Sequence, residues 1–323
     1  MDGSRARDVL AIGRCGVDLY PLQPGLHLQD VDTFGKFLGG SATNVAAACA
    51  RYGREVSVLT GVGDDPFGRY VVEELGRLGV DSSLVVTNPH FNTPVTFCEI
   101  FPPDNFPLYF YRWPTTPDLE LGPEHLPADL EDYRILWLTV SGLSAEPSRS
   151  MHETALARHH EGVTVLDLDY RPRFWSDEPS ASQAVADVLG GVDVAIGNLE
   201  ECRIAVGESE PERAADALLD RGVEIAFVKQ GPTGTLVKSR TERAFVPAFP
   251  VDVVNGLGAG DAFGGAVCHG LLNGWGIERI ATFASAAGAI VATRLACSAA
   301  MPRHDEVAEL LAAAGRGFEM EDG

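Results

Sequence analysis

Six short runs that are almost continuous in apolar residues recur along the chain: DVLAIG, VSVLTGVG, RILWLTV, VTVLDLD, VDVAIGN and IAFVKQG. A half-exposed strand alternates apolar and polar residues, so a run without alternation has both faces buried, as in a parallel sheet covered by helices. Helix-length segments separate most of the runs, at roughly 42–53, 66–79, 146–161, 178–190, 211–221, 261–273 and 277–294. The alternation predicts an α/β fold: a Rossmann-like, three-layer core around a mainly parallel sheet. With 323 residues, 45% of them hydrophobic, the chain can bury one generous core, and residues 1–323 are expected to form one domain.

Two segments break the rhythm. Residues 14–37 and 92–113 are rich in β-branched and aromatic residues and punctuated by Pro and Gly, so they are expected to supply strands of a small β-sheet lid outside the main sheet. The tail from Gly315 to Gly323 is expected to fray. No stretch approaches the roughly 18 consecutive apolar residues of a membrane span. The opening MDGSRARDVLAIG lacks an apolar signal core, so a cytoplasmic protein without a membrane partner is expected. Forty-six acidic against twenty-five basic residues leave a net charge of −21, which repels a nucleic-acid backbone. An anionic ligand would need locally placed cations. The six cysteines are scattered singly, with no zinc spacing, and read as small buried hydrophobes.

The most informative stretch runs from Asn255 to Asp261, NGLGAGD, before the helical segment AFGGAVCHGLL. Its glycines let the backbone approach a ligand, and the amides of the helix start point at an anion with the dipole behind them. Asp261 at the edge of such a hole suits a base that takes a proton from a hydroxyl nucleophile; a plain glycine turn with a dipole-favoured Asp suits it too. Neither a dinucleotide-binding G-x-G-x-x-G nor a P-loop can be laid on the segment. In Gly39-Gly40-Ser41-Ala42-Thr43-Asn44, Ser41 is placed to cap a helix and Asn44 to meet hydroxyls from its first turn. Asp18 is either a sugar-binding carboxylate or a solvated loop residue. Asn198 and Glu201 fit a capping box, or a water-mediated magnesium site beside phosphates. Lys229, Gly231 and Gly234 stand at a strand end, where they line a nucleotide or merely turn the chain. Arg112 and Arg171 are candidate forks for a carboxylate, or solvated surface cations.

GGSATN, NLEE and GLGAGDAFGG, in that order and spacing, resemble the ribokinase-like (PfkB-type) carbohydrate kinases over nearly the whole chain. The resemblance implies ATP-dependent phosphorylation of a hydroxyl. Asp261 would be the base; Gly258, Ala259 and Gly260 the anion hole; and Asp18, Gly39, Gly40 and Asn44 sugar contacts. ATP would meet Asn198, Lys229, Gly231 and Gly234, with Mg2+ near Glu201, and two copies would pair through the lid. The runs NTPVTFCEIFPPDNFPLYFYR and VLDLDYRPRFW are most similar to the 5-dehydro-2-deoxygluconokinases, then to 2-keto-3-deoxygluconate kinases. This similarity assigns Tyr111, Arg112 and Arg171 to a sugar acid and implies 5-dehydro-2-deoxygluconate as substrate, in inositol catabolism. The alternatives are a 2-keto-3-deoxygluconate kinase, a fructokinase, or a silent sugar sensor on the same fold. Asn255-Gly256 departs from the family's Asp-Thr, which leaves a monovalent cation site open.

Overall fold

β1 (Arg7–Ile12) is buried on both faces, with Val9 and Ala11 in one hydrophobic core and Leu10 and Ile12 in the other. That split is the physical basis of the three layers seen in the computed structural model, which describes residues 7–317. In chain order, the larger sheet comprises β1, β4 (Val56–Gly63), β5 (Val85–Asn88), β8 (Tyr133–Thr139), β9 (Val163–Asp167), β10 (Val194–Asn198), β11 (Ile225–Lys229), β12 (Gly234–Ser239) and β13 (Arg243–Pro247). Their order is β13-β12-β11-β10-β9-β8-β1-β4-β5, parallel except for the antiparallel edge pairs β11–β12 and β12–β13. A four-stranded sheet, ordered β3-β2-β6-β7, is made by β2 (Gly16–Pro21), β3 (Phe34–Gly39), β6 (Val95–Cys98) and β7 (Leu108–Tyr111). The two segments that break the rhythm thus contribute its strands, and Asp18 lies on β2 rather than in a loop.

The core that contains Val9 also takes in α1 (Ser41–Arg51), α2 (Pro66–Arg77), α7 (Ala259–Leu272), α8 (Ile277–Ala292) and α9 (His304–Ala313). The opposite core takes in α3 (Ser148–Arg158), α4 (Glu178–Val188), α5 (Leu199–Val206) and α6 (Pro211–Asp220). The seven helices read from the sequence are all present, with ends displaced by no more than three residues. Short or half-exposed elements escaped the pattern: β5, the β12–β13 pair, α5 and α9. Of the tail expected to fray, Gly315 to Gly317 are within the described residues and the rest lies outside them. All six cysteines are buried thiols. Among the described residues no helix is long and apolar enough to cross a membrane.

Candidate active site

The parallel strands point their C-terminal ends at the start of α7, where open α/β sheets collect ligands. Gly258 caps this helix at φ 81°, a left-handed conformation in which a side chain is strained, and a Cβ there would lie 2.8 Å from Cys297. The first intrahelical bond runs from the Ala262 amide to the Gly258 carbonyl at 2.9 Å, and the preceding amides of such a start have no partner within the helix. Two clefts meet at this point. Leu257, Gly258 and Asp261 line one of about 60 Å³. Ala259 and Gly260 line another of about 690 Å³ on the other side.

In the smaller cleft, Asp261 Oδ2 accepts a 2.7 Å hydrogen bond from Asn44 Nδ2, and Asn44 Oδ1 in turn accepts a short bond from the Ser298 hydroxyl. Burial pushes the Asp261 carboxyl up to about 6, against the pull of Asn44, Arg14 and Arg171. Across the cleft, Tyr20 donates to Asp18 Oδ2 at 2.7 Å, and its hydroxyl lies 2.9 Å from Cys297 Sγ. Burial also pushes Asp18 up to about 6, while the Tyr20 hydrogen bond and Arg14 oppose it. Gly39 is accounted for by this carboxylate, since a Cβ at Gly39 would come within 2.3 Å of it. Gly40, at φ 103°, is the N-cap of α1. The capping expected of Ser41 is therefore corrected: the chain enters the helix one residue earlier, and the buried Ser41 hydroxyl has no partner.

Arg171 reaches this cleft, held by Asp169 Oδ1 at 2.5 Å. Arg112 and Tyr111 do not line it, contrary to the sequence expectation. Arg112 is locked in a buried ion pair with Asp118 at 2.7 Å. Asp18, Thr96 and Phe110 stand in register across β2, β6 and β7 and face the cleft. Tyr111 is one residue out of that period, so it faces outward beside Phe97 and is 67% exposed. Arg14 joins Arg171 here: its Nη2 donates to Asp169 Oδ2 at 3.1 Å. Burial would raise Asp169, yet Arg171 and Arg14 hold it below the usual carboxylate range.

Lys229, Gly231 and Gly234 line the larger cleft, with Phe249 and Phe263 among its apolar walls. Burial would pull the Lys229 ammonium down, but Glu201, Asp167, Asp261 and Asp169 together hold it above its ordinary value. Asn198 is exposed, absent from the cleft lining, and caps α5: its Oδ1 accepts from the Glu201 amide at 2.9 Å, while Glu201 Oε2 accepts from the Asn198 amide at 2.7 Å. Asp167 is driven well above the usual carboxylate range by burial and by Asp169, Glu201 and Asp261, against the pull of Lys229. Among the described residues no group of three or more His, Cys, Asp and Glu side chains is arranged to hold a metal ion, so a divalent cation here would rely mainly on its own waters and on phosphate oxygens. Asn255 is fully buried and ties loops together, its Nδ2 on the Leu295 carbonyl and its Oδ1 on the Leu257 amide. A side chain at Gly256 would meet Phe106 at 2.9 Å.

The turn between β6 and β7 is closed by paired backbone bonds between Phe101 and Asn105, 3.0 and 3.1 Å long. Its Pro103 and Asp104 reach the larger cleft, while Thr96, Leu108 and Phe110 of the same hairpin line the smaller one. Arg14, Tyr20, Asp167, Asp169 and Ser298 were not singled out from the sequence. Only the acid-rich strand end VTVLDLD offered a signal for any of them.

The pfkB family carbohydrate kinase model matches residues 6–304. The 5-dehydro-2-deoxygluconokinase of Geobacillus thermodenitrificans is 32% identical over 319 residues, covering 96% of this chain and 94% of that protein. A fructokinase structure from Vibrio cholerae O395, in its fructose, ADP and calcium ion bound form, matches with a TM-score of 0.84 at 26% identity, over 94% of this chain and 99% of the other. A putative ribokinase II from E. coli, in complex with ATP and Mg2+, matches with a TM-score of 0.87 at 24% identity, over 95% and 100%. With its fold and its sequence aligned nearly end to end with such enzymes, this chain belongs to the PfkB family of carbohydrate kinases.

Proposed function

We propose that the enzyme transfers the γ-phosphoryl group of ATP to a hydroxyl of a sugar acid, 5-dehydro-2-deoxygluconate, giving its 6-phosphate. The observation that carries this reading is the start of α7, which forms a wall of both clefts, with Asp261 on one side and Ala259 and Gly260 on the other. The sugar occupies the smaller cleft, contacted by Asp18, Asn44 and Arg171, and ATP occupies the larger one beside Lys229, Gly231 and Gly234. With Oδ2 engaged by Asn44, Asp261 Oδ1 takes the hydroxyl proton as the hydroxyl oxygen bonds to the γ-phosphorus and the bond to the ADP oxygen breaks. A carboxyl raised to about 6 is a stronger base than an ordinary Asp and is still mostly ionised at neutral pH. The amides of Gly258, Ala259 and Gly260 stabilise charge on the transferring group.

Asp167 and Glu201 are the residues that would hold magnesium through its waters; when bound, the ion neutralises charge on the phosphates. Asn198 acts only indirectly, by fixing Glu201. The small sheet serves as a lid that excludes water from Asp261. Its outer face carries the exposed Tyr111 and Trp113, on which a second copy would dock.

The sugar-acid assignment draws support from the name of the Geobacillus relative and from Arg171 in the cleft. The test is ADP release by the protein with ATP and 5-dehydro-2-deoxygluconate, 2-keto-3-deoxygluconate or D-fructose in turn. The first should give the highest kcat/KM. Preference for D-fructose would make the protein a fructokinase, and sugar binding without ADP release from any of the three would make it a sensor.

A further inference from the structure

We infer that Arg14, beside Arg171, is a second residue that makes the sugar cleft select an acid, by presenting its guanidinium to the substrate carboxylate. The inference rests on the sugar-acid reading above. Arg14 follows directly on the end of β1 and lines the cleft together with Asp18, Asn44, Arg171 and Asp261. Its side chain is 11% exposed. Asp169 holds one end at 3.1 Å, and the guanidinium carbon lies 5.6 and 5.7 Å from the ring centroids of Phe110 and Phe174. A planar fork fixed in this way loses little freedom on gripping a ligand.

The second observation is a missing partner. Arg14 Nε is buried and donates to nothing, and the same holds for Arg171 Nε. A buried donor left without an acceptor is destabilising unless a ligand supplies one. The two arginines share Asp169, one on each carboxylate oxygen, so a single acid orients two guanidinium groups beside one cleft. Since Asp18 and Asp261 also line this cleft, an incoming carboxylate is repelled unless a cation is already fixed there. Apart from Arg171, which shares the cleft, the other cations near the site are engaged elsewhere. Arg112 is paired with Asp118 away from the cleft lining, Lys229 lines the other cleft, and Lys36 sits 3.7 Å over the Tyr70 ring.

The test compares kcat/KM for 5-dehydro-2-deoxygluconate and for D-fructose in wild type, Arg14→Met and Arg14→Lys, with KM for ATP as control. Loss of a charge-assisted pair should lower the value for the acid by about 10–100-fold more than the value for D-fructose in Arg14→Met, since D-fructose loses only the pull of Arg14 on Asp261 and Asp18, and KM for ATP should stay unchanged. Arg14→Lys keeps a charge beside Asp169, so it protects the fold, and it should recover part of the acid preference because the bidentate fork is gone. Equal losses on acid and neutral sugar in either variant, or an undiminished acid preference, would overturn the role of Arg14 alone. A wild type with no preference for the acid would overturn the sugar-acid reading and the role of Arg14 with it.

Discussion

The two clefts that meet at Gly258 are built from different materials. On the sugar side the lining is mostly side-chain chemistry, with Asp18, Asn44, Arg171 and Asp261 drawn from separate parts of the chain into about 60 Å³. On the nucleotide side about 690 Å³ is walled largely by Gly, Pro, Ala, Val and Phe, with Lys229 near the helix start. On the proposed reading, one side would discriminate by charge and hydrogen bonding, the other by shape and backbone. Substitutions should therefore act through chemistry in the first and through volume in the second.

The sharpest way to break this division is Asp261→Asn. Turnover should fall about 10²–10⁴-fold, the range for losing a general base, while calorimetric affinities for ATP and sugar persist. A matching loss of ATP affinity would mean that the two sides are not separate in function. A smaller effect is expected from Gly260→Ala. Its new Cβ would lie 3.4 Å from Lys229 Nζ and touch nothing else closely, so the fold should tolerate it while the methyl group intrudes where phosphates approach. KM for ATP should rise about tenfold, the equivalent of overpacking by about 1–2 kcal/mol, with KM for the sugar unchanged. Steady-state kinetics with each substrate varied would show which side responds.

The last effect concerns stability rather than turnover. The folded protein holds the Asp18 proton up to about 6, above the value of 3.8 used for a free Asp. The stability this group contributes is thus complete below about pH 4 and lost as pH rises through about 6. Asp18→Asn never carries the buried charge, so at pH 7 it should be more stable than wild type by about 1–3 kcal/mol, and the gap should close toward pH 4. Sugar affinity should fall in the same variant. Urea titrations at the two pH values check the sign; a gap that widened on acidification would contradict it.

What could be read from the sequence follows the same division. Gly258, Ala259, Gly260 and Asp261 are contiguous, and their local pattern announces a helix start built for an anion. The parallel core was equally plain, because β1, β4 and β8 are apolar on both faces. Arg14 was hidden because its meaning comes from Asp169, 155 residues away. Arg112 misled for the matching reason: nothing in LYFYRW reveals that Asp118 engages the guanidinium. Tyr111 failed by a single step of strand parity, since LYFY is apolar or aromatic throughout and does not mark its cleft-facing side. At Gly256 the fold exposes a steric reason for glycine that the sequence hides, namely Phe106 standing where a side chain would go.

The hairpin of β6 and β7 touches both clefts, with Phe110 over one and the Pro103–Asp104 turn over the other. Any freedom the hairpin keeps without ligands is therefore shared by the two clefts. A ligand that stills the hairpin from either side lowers the ordering entropy left for the other, which is positive cooperativity without any change in the contacts each ligand makes. Linkage makes that cooperativity reciprocal, so the factor by which ATP tightens the sugar equals the factor by which the sugar tightens ATP, whichever arrives first.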